Sequence, residues 1–195
     1  MRIVRSDQAD EHTSSSQAAL DEMAVAAQQQ GPVCTPNCVR AKHQHCSRKC
    51  PYIPQVLSSD PVNYPIEPLI APLAFELKKL GVFEPCWSCE GHNDQQQRLQ
   101  KLPAVWFYAH SVTHVRVLSD SVRDMFCDRR LSSPWQVKLC FSDPNNVNTT
   151  FSLDPAAHNA ELTLVSLQND VAKIAEELEG RVIKKAATLK KLQTG

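Results

Sequence analysis

Glycine is scarce in this chain, with five in 195 residues. No Walker loop or dinucleotide fingerprint can be written from so few, because both need several glycines to bring backbone N–H groups up to a phosphate. ATP and NAD are therefore not expected as cofactors. An excess of charge of one sign is also missing. Lysine plus arginine and aspartate plus glutamate stand at 21 each, so any case for nucleic acid or a membrane surface has to be local. Nothing approaches the run of about eighteen apolar residues that a membrane helix needs. The opening MRIVRSDQADEHTSSS is charged throughout and lacks the apolar core of a secretory signal. The expectation is a cytoplasmic protein with no membrane partner. An apolar share of 42% suits one domain with a sizeable core.

Cysteine, by contrast, is plentiful, with eight residues. In a long chain without an export signal, reduced thiols open to a metal or to chemistry are expected in preference to a disulfide framework.

Three segments are expected. Residues 1–31 are polar and end in Gln28-Gln29-Gln30-Gly31, which reads as a flexible or short-helical piece. Within it Ser16 would cap a helix over Gln17 to Ala27, with Leu20, Met23, Ala24 and Ala27 on one face. Residues 32–155 hold the cysteine-rich segment and an α+β core. Residues 156–195 form a helix, either packed on the core or dimerising.

Inside the core, Pro51, Pro54, Pro61, Pro65 and Pro68 predict an extended connection without a regular element. A helix then starts near Pro68, carries Leu69, Ile70, Leu73, Leu77 and Leu80 at helical spacing, and stops at Gly81. Ala104 to Ala109 is short, apolar and aromatic as a core strand is, with a buried helical turn as the alternative that periodicity leaves open. Ser111 or Thr113 offers an N-cap to a helix bearing Val115, Leu118, Val122, Met125 and Phe126. Trp135, Val137, Leu139 and Phe141 alternate with polar residues as a strand does. Asp143 to Asn146 turns the chain, and Asn148 to Leu153 returns antiparallel. Leu164, Leu167, Val171, Ile174 and Leu178 give the last helix an apolar seam. The fold class is thus α+β, a small and partly antiparallel sheet packed by helices, with a long C-terminal helix.

The strongest chemical signal is Cys34-x3-Cys38-x7-Cys46-x3-Cys50. Four thiolates around one ion make the closed tetrahedral arrangement of structural zinc. Lys42, Arg48 and Lys49 favour the thiolate form, and His43 and His45 can substitute for one cysteine. An iron–sulfur cluster is the alternative cofactor for the same four ligands.

The second signal is Cys86-Trp87-Ser88-Cys89-Glu90-Gly91-His92. It is expected as a loop after a helix end. Cys86 and Cys89 with His92, His110 or His114 supply soft and borderline ligands for a second metal site. Three protein ligands plus water would make it catalytic, with Cys89, Glu90 and His92 as the catalytic residues and Glu90 as a general base. A thiol-redox role for the Cys-x-x-Cys pair and plain packing of these side chains are the other readings.

The string Ser88-Cys89-Glu90-Gly91-His92, followed by an apolar aromatic strand, resembles a motif of uncharacterised bacterial proteins. It is also similar to tRNA wybutosine-synthesising methyltransferases over roughly thirty residues. That family's Ser-Cys-Ser-Gly-Arg segment and tryptophan-led strand ending in histidine fall on Ser88, Cys89, Gly91, Trp106 and His110. The resemblance implies a shared fold. Glu90 and His92 stand where the family has serine and arginine, so the reaction does not carry over.

The stretch from Arg181 to Lys191 holds Arg181, Lys184, Lys185, Lys190 and Lys191 and no acid, a local case for phosphate or anionic lipid. No aromatic residue interleaves with them, which weakens a nucleic-acid reading, and lysines complementing a helix end explain them equally. The sequence thus points to a zinc-binding protein held by Cys34, Cys38, Cys46 and Cys50. The alternative is a metal- or thiol-dependent enzyme with its site at residues 86–92. A homodimer through the C-terminal helix is the expected form of any self-association.

Overall fold

The chain alternates between residues that must pair as strands and amphipathic stretches that must cover them. In the computed structural model, which describes residues 9–26, 50, 53–140, 149–156 and 162–194, the N-terminal half runs α1 (Ala9–Ala26), α2 (Ile53–Leu57), α3 (Ala71–Lys79), β1 (Phe83–Cys89), β2 (His92–Asn93) and β3 (Leu99–Lys101). It continues as β4 (Ala104–Ala109), α4 (Val112–Cys127), β5 (Trp135–Leu139), β6 (Thr150–Pro155) and α5 (Leu164–Thr194). The architecture is α+β. One four-stranded sheet has the order β1-β4-β6-β5, β2 and β3 form a two-stranded sheet, and every pairing is antiparallel.

Alternation along the strands sorts the two faces of the larger sheet. Val105, Phe107 and Leu153 point into one core with Leu73 and Leu77 of α3, Val117, Leu118, Val122 and Met125 of α4, Val171, Ile174, Leu178 and Val182 of α5, and Leu20 and Met23 of α1. Phe83 and Phe107 meet edge to face at 5.2 Å between ring centres, a favoured aromatic geometry. The opposite face carries Trp87, Trp106, Lys138, Ser152 and Asp154 by register.

Several expectations shift. Ser16 lies inside α1, which begins at Ala9, so it caps nothing; its hydroxyl instead accepts from Thr113 Oγ1 at 3.3 Å. The proline-rich connection contains α2, because Pro54 at the second position of a helix removes no hydrogen bond. The third helix starts at Ala71 and leaves Leu69 50% exposed. Residues 83–89 are a strand, not a loop. Gly81 ends the preceding turn at φ +74°, and Phe83 pairs at once with Ala109. Pro85 is tolerated because β1 is an edge strand with a bulge between Pro85 and Trp87.

Ser111 caps α4, its side chain accepting from the backbone N–H of His114 at 3.3 Å. The β5–β6 pairing is antiparallel as expected, while the turn at Asp143 to Asn146 lies outside the described residues. From Leu167 to Leu178 the seam of α5 is buried, and the helix packs chiefly against α1, α3 and α4, in the helical layer. Its basic end is drawn into pairs within the chain: Arg181 with Glu177 and Asp128, Lys185 with Asp124, and Lys190 with Asp21. No described helix is long and apolar enough to cross a membrane.

Asp170 joins α5 to the start of β5. It is fully buried, and its carboxylate accepts from the backbone N–H of Ser132 at 2.9 Å, the hydroxyl of Ser132 at 2.8 Å, the N–H of Ser133 at 3.2 Å and the indole of Trp135 at 3.3 Å. Four donors make burial of a carboxylate tolerable.

Candidate metal centre

The centre is assembled where β1 ends. Cys89 closes that strand opposite Ala104 and is 2% exposed. The chain then reverses at Gly91, whose φ of +83° suits glycine. A side chain there would also collide, since a Cβ would lie 2.7 Å from Leu164 Cδ1 and 3.0 Å from the carbonyl oxygen of Lys101. The turn delivers His92 to the first position of β2.

Asp94 sets the hairpin that follows. Its carboxylate accepts from the backbone N–H groups of Gln96 and Arg98 at 2.9 and 2.8 Å, and from the Arg98 guanidinium at 2.8 Å. These bonds, led by the Arg98 backbone N–H, hold the Asp94 carboxyl below its usual range. The resulting register places Lys101 directly opposite His92.

Glu67 arrives from the connection before α3, where the Pro68 that follows it disfavours a helical backbone. Its Oε2 accepts from the backbone N–H of Glu90 at 2.7 Å, and its Oε1 faces His92 Nε2 at 3.0 Å. Glu90 reciprocates, its Oε2 accepting from the backbone N–H of Leu69 at 2.9 Å. Ile70 at the N-cap of α3 has no polar group with which to cap, and Glu90 supplies a carboxylate just ahead of that helix. The Glu90 carbonyl in turn accepts from Gln168 Nε2 on α5 at 3.1 Å. The residue expected as a general base is therefore engaged in holding the turn.

The result is three different ligand atoms, the Cys89 sulfur, a His92 ring nitrogen and a Glu67 oxygen, all within 4.8 Å of one another. Thiolate, imidazole and carboxylate are the ligand types of zinc. All three residues line one groove of about 700 Å³, whose wall includes Tyr64, Ile66 and Trp87. Trp87 packs on Trp106 across the strands at 4.8 Å between ring centres, and Lys101 Nζ stands 4.8 Å above the Trp87 ring.

The other candidate residues are dispersed. Cys86 sits in the β1 bulge, exposed, with its thiol pushed up chiefly by desolvation and further by Cys140 and Glu84. Residues three apart in a strand are separated by about 10 Å between Cα atoms, beyond the limit of about 7 Å for a disulfide, so the extended Cys86-x-x-Cys89 pair is poorly placed for redox closure. His110 and His114 lie past the other end of β4, away from Cys89. There His110 Nδ1 meets Glu22 Oε1 at 2.8 Å. The fully buried His114 donates from Nε2 to the carbonyl of Ala19 at 2.8 Å. This pair fastens α1 to α4 and is not part of the centre. Cys34, Cys38, Cys46, His43 and His45 lie outside the described residues; Cys50 is buried beside Ile53, Ala71 and Phe75.

Glu67 was missed from the sequence because nothing in the Pro65-Ile66-Glu67-Pro68 string distinguishes it from any solvated acid in a connection. Comparison with protein-family models, with curated proteins and with solved structures finds no match to this chain.

Proposed function

We propose that the protein binds zinc through Glu67, Cys89 and His92, at the floor of a groove open to small molecules. The observation that carries this reading is the convergence of three chemically distinct donors within 4.8 Å, every one of them lining the groove. Zinc sites with three protein donors leave a position for water or substrate, and an ion held there supplies Lewis acidity.

The residues divide the work. Glu67 keeps Oε2 on the Glu90 N–H, which leaves Oε1 for the ion. His92 presents Nε2, the atom now facing Glu67, so a proton and a metal compete for the same lone pair. Burial of Cys89 and the closeness of the Gly91 N–H, 3.4 Å from its sulfur, favour a ligand role over that of an open nucleophile. An enzyme acting through metal-bound water is the form of catalysis this arrangement favours, ahead of one acting through a free thiolate.

A second, structural zinc at Cys34, Cys38, Cys46 and Cys50 belongs to the same proposal, with an iron–sulfur cluster as its alternative. The burial of Cys50 against Phe75 and Ile53 would tie such a site to the core. Metal analysis of protein purified anaerobically without chelators tests both sites, compared with Cys89→Ser. Loss of one zinc equivalent in the variant is expected. An unchanged metal content would remove Cys89 from the ligand set and end the three-donor reading.

A further inference from the structure

The groove has a charge pattern that points to its occupant. Among the described residues two lysines line it, and they differ. Lys78 is neutralised by Glu84, which lines the groove too, at 2.6 Å. Lys101 makes no ion pair with any described residue; its contact is with the face of Trp87. Because Lys101 pairs in register with His92, its Cα lies about 5 Å from that of His92. Both side chains line the groove.

The charges then sum to an excess of one positive charge. A divalent ion is balanced by the Glu67 carboxylate and a Cys89 thiolate, His92 is neutral as a ligand, and Lys101 remains. Beyond this head region Leu57, Tyr64, Ile66 and Trp87 give the wall an apolar and aromatic stretch, beside the polar Ser58, Ser59 and Asn63. A volume of about 700 Å³ lies within the range of small-molecule sites.

We infer that the groove binds an organic oxyanion, a carboxylate or phosphate whose charged head lies between the Glu67–Cys89–His92 centre and Lys101, with an apolar body along Tyr64, Ile66 and Trp87. The inference rests on the zinc reading, in which an ion balanced by its own ligands keeps a coordination position open to the oxyanion. Lys101 acts as a binding residue that carries the excess positive charge.

The test titrates the zinc-loaded full chain with phenylacetate, phenyl phosphate and, as the uncharged control, benzyl alcohol, following tryptophan fluorescence and heat. Lys101→Met keeps the aliphatic stem over Trp87 and removes the charge. The expected result is that the anions bind more tightly than benzyl alcohol, and that Lys101→Met weakens the anions about fivefold while leaving benzyl alcohol and the zinc content unchanged. The better of the two anions names the head group. Equal anion affinities for the variant and the parent, at full zinc content, would overturn the inference and leave the metal centre standing. Parent protein that takes up no zinc at the centre would overturn both.

Discussion

Oε1 of Glu67 lies 3.0 Å from Nε2 of His92, joining the proline-rich connection before α3 to the first residue of β2. Neither residue is held by its own element. Glu67 is steered by the Glu90 N–H, and His92 by the turn at Gly91. Such a contact positions the two proposed metal donors and would also compete with an ion for them.

Glu67→Gln should therefore separate geometry from charge. The amide oxygen still accepts from Glu90, so the turn persists, but the anionic donor is gone. Zinc affinity should fall by at least about tenfold. Competition with a chromophoric chelator measures it, and an affinity equal to the parent's would show that Glu67 is not a ligand.

Gly91→Ala tests the turn. The substitution combines a positive φ with a Cβ that meets Leu164 Cδ1 at 2.7 Å and the Lys101 carbonyl at 3.0 Å. A loss of about 1–3 kcal/mol in urea unfolding is expected, together with weaker zinc binding as His92 shifts. Full stability would mean that the chain relaxes freely here and that the register of β2 does not depend on this glycine.

Asp170→Ala should be among the costliest substitutions, since it strands the donors of the buried Ser133 and Trp135 and removes both bonds to Ser132. The expected loss is about 3 kcal/mol. A change under about 0.5 kcal/mol would mean that water replaces the carboxylate.

Acid should loosen the α1–α4 junction through His114. Desolvation lowers its pKa from 6.5, outweighing the Ala19 carbonyl and Glu22, which raise it; His110 lowers it further. The unfolded chain thus binds the proton more readily. Stability contributed by the neutral imidazole is intact above pH 6.5 and is lost as the pH falls below it, at up to about 1.4 kcal/mol per pH unit. Melting temperature across that window should drop more steeply for the parent than for His114→Gln, and parallel curves would refute the assignment.

Cys46→Ser separates the two proposed ions. It should lower both metal content and melting temperature while leaving the Cys89-dependent equivalent in place. Unchanged stoichiometry would remove the four-thiol site.

Much of the fold was legible because burial imposes a period. The α+β class, the strand at 104–109 and the seam from Leu167 to Leu178 follow from where apolar residues recur, and of the two hydroxyls that the sequence offered as a cap the structure uses Ser111. The seam's use was less legible. An apolar stripe specifies that something covers it, not whether the cover is a sheet, a second chain or, as here, α1, α3 and α4.

For the site, the sequence determined by itself the residue types near Cys89 and His92, which their closeness along the chain made visible. Tertiary structure decided the rest. Pairing with β4 turned the Cys86–Cys89 part of the expected loop into a strand, set Cys86 in a bulge apart from Cys89, and left His110 past the opposite end of β4. It also brought in Glu67, because a carboxylate can be recruited by a backbone N–H 23 residues away along the chain, and no local pattern records a bond of that span.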